Sequence, residues 1–369
     1  MALPRELSDA IDGVAEELEA LSREAEVLRR APDAMGALLK KARIPMAKVP
    51  KEVGGYEISP AEQVDFFARL AYLNPTAGWL AFVQNGAAGV VGAGLPDEGI
   101  HEVFAEDSPL FSGVVAPTGQ SQAVSGGYRV NGRWRYVSGA HISEWIALTT
   151  IGSDPPGPRM VVVRTEEVEL VDDWHVAALQ GTGSVDVVVD DVFVPEARTL
   201  QPAQMLRGGP QYSQLGFKGY VAGENFGFSL GVAQRYLDEM RTYARNKKRA
   251  ADETSVADRG VFQHALASAD MMCRATRVHM KHELDRAEAL ARETHAPLAV
   301  EDMARLEAAL SWSTHELVAA TVKLFPFAGA GALHLDNATQ RSLRDLLGSG
   351  QHQVVDVHTI EAWGAMLAQ

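Results

Sequence analysis

At 369 residues the chain is long enough for two or three domains and for a core that needs neither disulfide nor structural metal. A formal net charge of −14 leaves no basic face for nucleic acid, and the single cysteine, Cys273, excludes an intrachain disulfide and any CxxC metal site. No stretch approaches the roughly 20 apolar residues of a membrane span. The acidic, heptad-like N-terminus lacks the basic flank and apolar run of a signal peptide, so a soluble protein in a reducing cytoplasm is expected.

Residues 5–43 carry apolar positions at helical spacing until Pro45 and Pro50 break the pattern. IPMAKVPKEVGGYEISPAEQ then reads as a loop turned at Gly54-Gly55. Ser59-Pro60 with Glu62 opens a helix whose apolar face is Val64, Phe67, Leu70 and Ala71. TAGWLAFVQNGAAGVVGAGL is apolar and small on nearly every side, the pattern of a helix buried within the protein. Residues 1–112 are therefore expected to form a helical domain.

Over residues 113–205 the texture changes to short β-branched strands: YRV, RWRYVS, WIALTT, MVVVR and SVDVVVDDVFVP, with turn residues at Asp154-Pro155-Pro156-Gly157. Strands this short, with no helices between them, predict an antiparallel barrel or sandwich. Asn131-Gly132 has the signature of a type I′ turn, so residues 123–150 predict a β-hairpin reversing there. At its far end Trp134, Ser138, Gly139 and Trp145 would bring two indoles and a small hydroxyl together, which suits a flat aromatic ligand. The same spacing also fits two core aromatics around a turn.

After a Gly/Pro/Gln-rich linker, residues 215–369 return to helical periodicity in four long segments, the last running from Asp345 to Leu367, and predict an up-and-down four-helix bundle. The basic run RNKKR at 245–249 reads either as a solvated helix end or, in so acidic a chain, as a phosphate contact.

No GxGxxG unit lies between a strand and a helix, no GxxxxGK[ST] loop is present, and no GxSxG elbow occurs. His279, His282 and Glu283 have metal-like spacing, but Lys281, Asp285 and Arg286 beside them read as solvated surface, so no metal site is expected.

The order of helical, β and helical-bundle regions resembles the acyl-CoA dehydrogenase superfamily. PKEVGGYEISPAEQ, WRYVSGAHISEW, TGSVDVVVDDVFVP and RSLRDLLGSGQH match it at motif level, across nearly the whole chain. The closer likeness is to its flavin-dependent, two-component monooxygenase branch. The resemblance implies an α+β fold and reduced FMN or FAD supplied by a separate reductase. It further implies molecular oxygen as co-substrate, an aromatic or polyketide-like small-molecule substrate, and a homotetramer.

By the same resemblance Trp134 and Ser138-Gly139 lie beside the flavin, with the serine at its reactive N5 edge. Arg344-Asp345 and His352 match the branch's C-terminal pattern, and His352 would act as acid or base; it could equally be a helix-surface residue. Arg245, then Arg249, would hold the flavin phosphate, with Gln263, Gly329 and Gly331 lining the cofactor. Trp145, Gln84 and Asn85 would face substrate, the two amides standing near Ala87, where many hydroxylases of this branch carry a histidine. The alternative is an FAD-dependent acyl-CoA dehydrogenase. Its carboxylate base is missing at the matching place, where Gln353 stands, although Glu361 remains as an acid elsewhere. Glutamine accepts no proton at neutral pH, whereas a histidine of ordinary pKa, about 6.5, can.

Overall fold

The computed structural model describes residues 3–153, 156–248 and 254–369. Two compact units emerge from its contacts: one holds the residues through Ser59, Trp79–Val176 and Gln180–Gln214, the other Pro60–Gly78, Ala177–Leu179 and Leu215–Gln369. Among the described residues no helix is long and apolar enough to cross a membrane.

In the first unit the expected N-terminal helix is four short ones, α1 (Arg5–Asp12), α2 (Ala15–Ala20), α3 (Ser22–Leu28) and α4 (Asp33–Lys41). Helix α3 ends on Arg29, whose φ of 54° takes the chain out of helical space. Helix α5 (Pro60–Leu73), which belongs to the second unit, begins at the proline of the Ser59-Pro60 signal, with Val64, Phe67, Leu70 and Ala71 all buried. It is followed by α6 (Pro75–Gly94) and α7 (Asp97–Val103).

The strands are β1 (Phe111–Val124), β2 (Gly127–Val137), β3 (Trp145–Ser153), β4 (Pro156–Arg164), β5 (Glu169–Val171), β6 (Val185–Pro195) and β7 (Thr199–Leu200). They form one seven-stranded sheet in the order β5-β6-β2-β1-β3-β4-β7. Two expectations change here. Strands β1 and β3 pair in parallel, so the sheet is not wholly antiparallel, and its edge strands do not pair with each other among the described residues, so it stays open. Of the expected Asp154-Pro155-Pro156-Gly157 turn, Asp154 and Pro155 lie outside the described residues.

The hairpin expected over residues 123–150 does not form, because residues 127–137 are one continuous strand. Strands β1 and β2 turn through Ser125-Gly126, where Gly126 takes φ 82°, while Asn131-Gly132 runs on inside β2 at a register shift against β6. The physical reason is packing: a Cβ on Gly132 would stand 2.6 Å from the Gly119 Cα and 2.7 Å from the Trp134 ring. Gly119 is pressed against the same ring. The glycine admits an indole; it does not reverse the chain.

In the second unit α5 packs against α8 (Gly216–Asn246) through Gly223, Gly227 and Gly231, whose missing Cβ atoms let α8 approach the backbone oxygens of Pro60, Val64 and Ala68. Helices α9 (Gly260–Thr294) and α10 (Val300–Val322) follow as expected. The last segment does not form one helix. It is α11 (Ala338–Ser349) and α12 (His358–Leu367), separated by a short turn at Gln353–Val355.

Gly119→Ala should cost about 1–3 kcal/mol, because a methyl there must displace the buried Trp134 ring. Urea unfolding checks this, and an unchanged midpoint would mean that the ring is not locked as described.

Candidate active site

Ser138 lies at the end of β2 and is 5% exposed. Its Oγ accepts the indole N–H of Trp79 on α6 at 3.1 Å and lies 2.7 Å from the Ser184 hydroxyl, itself 2.7 Å from Thr182 Oγ1. The backbone here is held just as tightly. Gly139 adopts φ 74°, donates its N–H to Thr182 O at 2.9 Å, and packs so close to Leu80 that a Cβ would sit 2.8 Å from the Leu80 side chain. Ser112 Oγ donates to Ser138 O at 2.7 Å and contacts Ser143 Oγ at 2.6 Å. Only Ser138 of this hydroxyl group was singled out from sequence; Ser112, Ser143, Thr182 and Ser184 come from separate segments that the sheet brings together.

The two indoles of the expected hairpin do not meet. Trp134 is fully buried among Val130, Val137, Ile146 and Leu148, with its N–H on Thr149 O at 2.8 Å. Trp145 packs in the other core cluster with Phe111, Ala147, Met160 and Val162, under the guanidinium of Arg164 at 4.3 Å. Neighbouring positions on a strand point to opposite faces, and β3 alternates between these clusters. The indole that reaches Ser138 is instead Trp79.

The amide pair on α6 separates cleanly. Asn85 is spent on structure: its Oδ1 accepts from Lys48 N at 2.9 Å and its Nδ2 donates to Ile44 O and Ala81 O, both at 2.9 Å. Gln84 is 1% exposed, yet neither its Nε2 nor its Oε1 has a partner. One helical turn before it Leu80 packs on Gly139, and one turn after it Ala88 joins the sheet-side core, so Gln84 lies on the stripe that faces the sheet near Ser138. A buried amide left unpaired costs about 1–3 kcal/mol. Such a group is suited to hydrogen-bonding a ligand.

In the second unit Arg344 Nε donates to Gln340 Oε1 at 2.7 Å and its Nη1 to Ala177 O at 2.5 Å, while Asp345 Oδ1 accepts from Leu179 N at 2.6 Å. These two residues tie α11 to the backbone of Ala177 and Leu179. His352 is partly exposed, and its Nδ1 faces the Val354 N–H at 3.5 Å, which puts the ring proton on Nε2. Burial of the ring pushes its pKa down to about 4. At neutral pH it is an uncharged imidazole.

The residues expected at the phosphate end have these surroundings. Arg245 is exposed in the last turn of α8, two residues from Tyr243, and Gly331 packs against the Tyr243 hydroxyl. Phe262, next to Gln263 at the start of α9, meets Phe327 edge-on at 5.5 Å, two residues before the exposed Gly329, φ 68°. Arg249 lies outside the described residues. Of the other residues weighed from sequence, Glu283 is held by Arg305 at 2.6 Å and Arg286 at 3.1 Å, as a salt-bridged carboxylate rather than a metal ligand. Glu361 is exposed and paired with His358 at 2.7 Å.

Residues 227–357 match the family described as acyl-CoA dehydrogenase, C-terminal domain. The indole-3-acetate monooxygenase of Pseudomonas putida is 29% identical over 87% of this chain and 82% of its own length. The oxygenase component of the FADH2-dependent resorcinol hydroxylase of Rhizobium sp. is 27% identical over 97% and 92%. Residues 227–357 thus resemble the C-terminal domain of acyl-CoA dehydrogenases, and the chain as a whole is similar to flavin-dependent monooxygenases. Among solved structures, XiaF from Streptomyces sp., in complex with FADH2 and glycerol, superposes with a TM-score of 0.88 over 99% of this chain and 95% of that one, at 22% identity. That likeness shows the fold.

Because His352 is held neutral in the folded protein, its contribution to stability is complete above the unfolded pKa of about 6.5 and is lost as pH falls toward about 4. Between pH 7.5 and pH 5 the loss should be about 2 kcal/mol. His352→Gln should lack it, so the wild-type and variant unfolding free energies, compared at the two pH values, should differ in slope by that amount. Parallel slopes would place the imidazole in a solvated setting.

Proposed function

We infer that this protein is the oxygenase component of a two-component hydroxylase, which uses reduced flavin delivered by a separate reductase, and molecular oxygen, to hydroxylate an aromatic small molecule. The relatives named above are flavin-dependent monooxygenases whose names specify aromatic substrates, indole-3-acetate and resorcinol. A bound reduced flavin would supply the electrons for oxygen activation. This chain's residues bind it, exclude water and hold protons.

The observation that carries the reading is the hydrogen-bonding state of Ser138. A hydroxyl has two acceptor sites and one proton. With Trp79 N–H on one site, either hydroxyl can donate in the Ser138–Ser184 contact; with Ser138 as its donor, the second acceptor site of the Ser138 oxygen is left to face outward. Buried chains of this kind strengthen the terminal acceptor. A dry, preorganised hydroxyl suits the N5 edge of a reduced flavin, whose N5–H needs an acceptor oxygen, and Gly139, through its close approach to Leu80, fixes where that hydroxyl stands.

In the first unit Gln84 is the substrate-side amide, and Asn85 supports the helix that carries it. His352, neutral at pH 7, serves as the proton-exchanging group. Trp134 contributes by locking β2 behind Ser138, and Trp145 by packing the opposite face of β3, each through the core rather than as a cofactor wall. Arg245, Gln263, Gly329 and Gly331 form the phosphate end, together with Arg249. Helices α8 to α11 act as the bundle through which a homotetramer assembles. The dehydrogenase alternative lacks a carboxylate at Gln353, and Glu361 is exposed and ion-paired, unlike a base in a dry pocket.

Oxygen uptake with enzymatically reduced FMN and FAD, measured across phenolic and polycyclic aromatics, should rise with at least one substrate and yield a hydroxylated product. In Ser138→Ala, product per flavin oxidised should fall at least tenfold while hydrogen peroxide rises. Trp79→Phe, which leaves the serine one donor short, should fall between. Full coupling in Ser138→Ala would remove the serine from the reaction, and bleaching of bound flavin by an acyl-CoA would favour the dehydrogenase.

A further inference from the structure

Asn225 on α8 is the least explained polar side chain of the second unit. It is 0% exposed, and neither its Nδ2 nor its Oδ1 has a hydrogen-bond partner. Two further buried polar atoms lack partners on α10, Ser313 Oγ and Thr314 Oγ1, both on residues of 0% exposure.

Helix registers bring these three groups to one level. Helices α8 and α10 run parallel: a Cβ on Gly216 would meet Met303 at 3.1 Å, Gly219 meets Leu306 at 3.1 Å, and Lys218 pairs with Glu307 at 3.3 Å. Carried up both helices at the same rise per residue, that register sets Asn225 level with Ser313 and Thr314. Helix α11 runs antiparallel to α8, since Ser349 bonds Ser229 at 2.9 Å and Ser342 bonds Glu239 further along. Asn225 is one turn before Ser229 on the same stripe of α8, so it faces the segment just beyond Ser349. That segment contains His352, and it is held to α10 where His315 Nε2 contacts Val355 O at 2.8 Å. Asn225 thus lies between α10 on one side and the His352 turn on the other.

We propose that Asn225, with Ser313 and Thr314, is a substrate-binding pole that takes an uncharged hydroxyl or carbonyl group of the aromatic substrate. The inference rests on the hydroxylase reading and adds the substrate class and the residues that select it. Three neutral groups that both donate and accept match a phenolic hydroxyl or a ketone. A carboxylate placed among them would be buried without a cation, which costs far more than a neutral group does. A site built to hydrogen-bond an oxygen also discriminates strongly against analogues lacking it, because its own groups are then left unpaired.

Asn225→Leu keeps the size of the side chain and removes its polarity. Binding of resorcinol, 1-naphthol and benzoate to the whole protein without flavin, followed by calorimetry and thermal shift, separates the outcomes. The wild type should bind at least one of the two phenols more tightly than benzoate. Asn225→Leu should lose at least tenfold in phenol affinity while its Tm is unchanged or raised, since an unpaired buried amide has been removed. Thr314→Val, an isosteric change, should lose affinity in the same direction, and serves alone if Asn225→Leu does not fold.

A lowered Tm with unchanged phenol affinity would overturn the proposal and make Asn225 a structural residue held by buried water. Benzoate binding as tightly as the phenols, or failure of both phenols to bind, would also overturn it. These measurements need no turnover, so they fail independently of the hydroxylase reading, which fails if reduced flavin and oxygen give no hydroxylated product.

Discussion

The contact on which the site depends is the hydrogen bond from the Trp79 indole to the Ser138 hydroxyl. It joins a buried helix to the end of a strand, in a place where neither partner has water as an alternative. The indole is rigid and can only donate, so it fixes both where the serine oxygen sits and which of its lone pairs is used. The positive φ of Gly139 and the Ser112–Ser143 pair then hold the backbone so that the side chain has one place to be. Hydrogen bonds in such surroundings are strong when complete and costly when broken. That rigidity is what a reaction sensitive to water requires.

Against this well-satisfied network stand a few buried groups with nothing to bond. Gln84 in the first unit and Asn225, Ser313 and Thr314 in the second are withdrawn from water and left unpaired. Folding alone gives no reason for such groups, each of which subtracts from stability. A ligand gives one. Asn85, adjacent to Gln84 and of the same chemistry, bonds through both ends of its amide, so an unpaired amide on α6 is no consequence of its helix. Local violations of good packing chemistry tend to mark where a protein works.

Much of the fold was legible because it rests on short-range patterns. The proline at the start of α5, the apolar α6, the β-branched strands and the long α8 to α10 follow from periodicity and capping chemistry that the local chain carries. The hairpin turn was misread for a physical reason: Asn-Gly suits a tight turn, but Gly132 is a glycine because Trp134 and Gly119 need the room. Likewise two tryptophans eleven residues apart read as neighbours, until the pleat of β3 sent their clusters to opposite faces of the sheet.

By itself the sequence determined the α+β composition and carried the resemblance to flavin-dependent monooxygenases that singles out Ser138, since motif identity and local periodicity survive without knowledge of the fold. Tertiary structure alone decided which indole touches that serine, which of two adjacent amides is left unpaired, and that burial lowers the pKa of His352. Each of these depends on burial and on partners distant in the chain. Hydrogen-bond satisfaction and desolvation are properties of a place in space, and no window of sequence contains them.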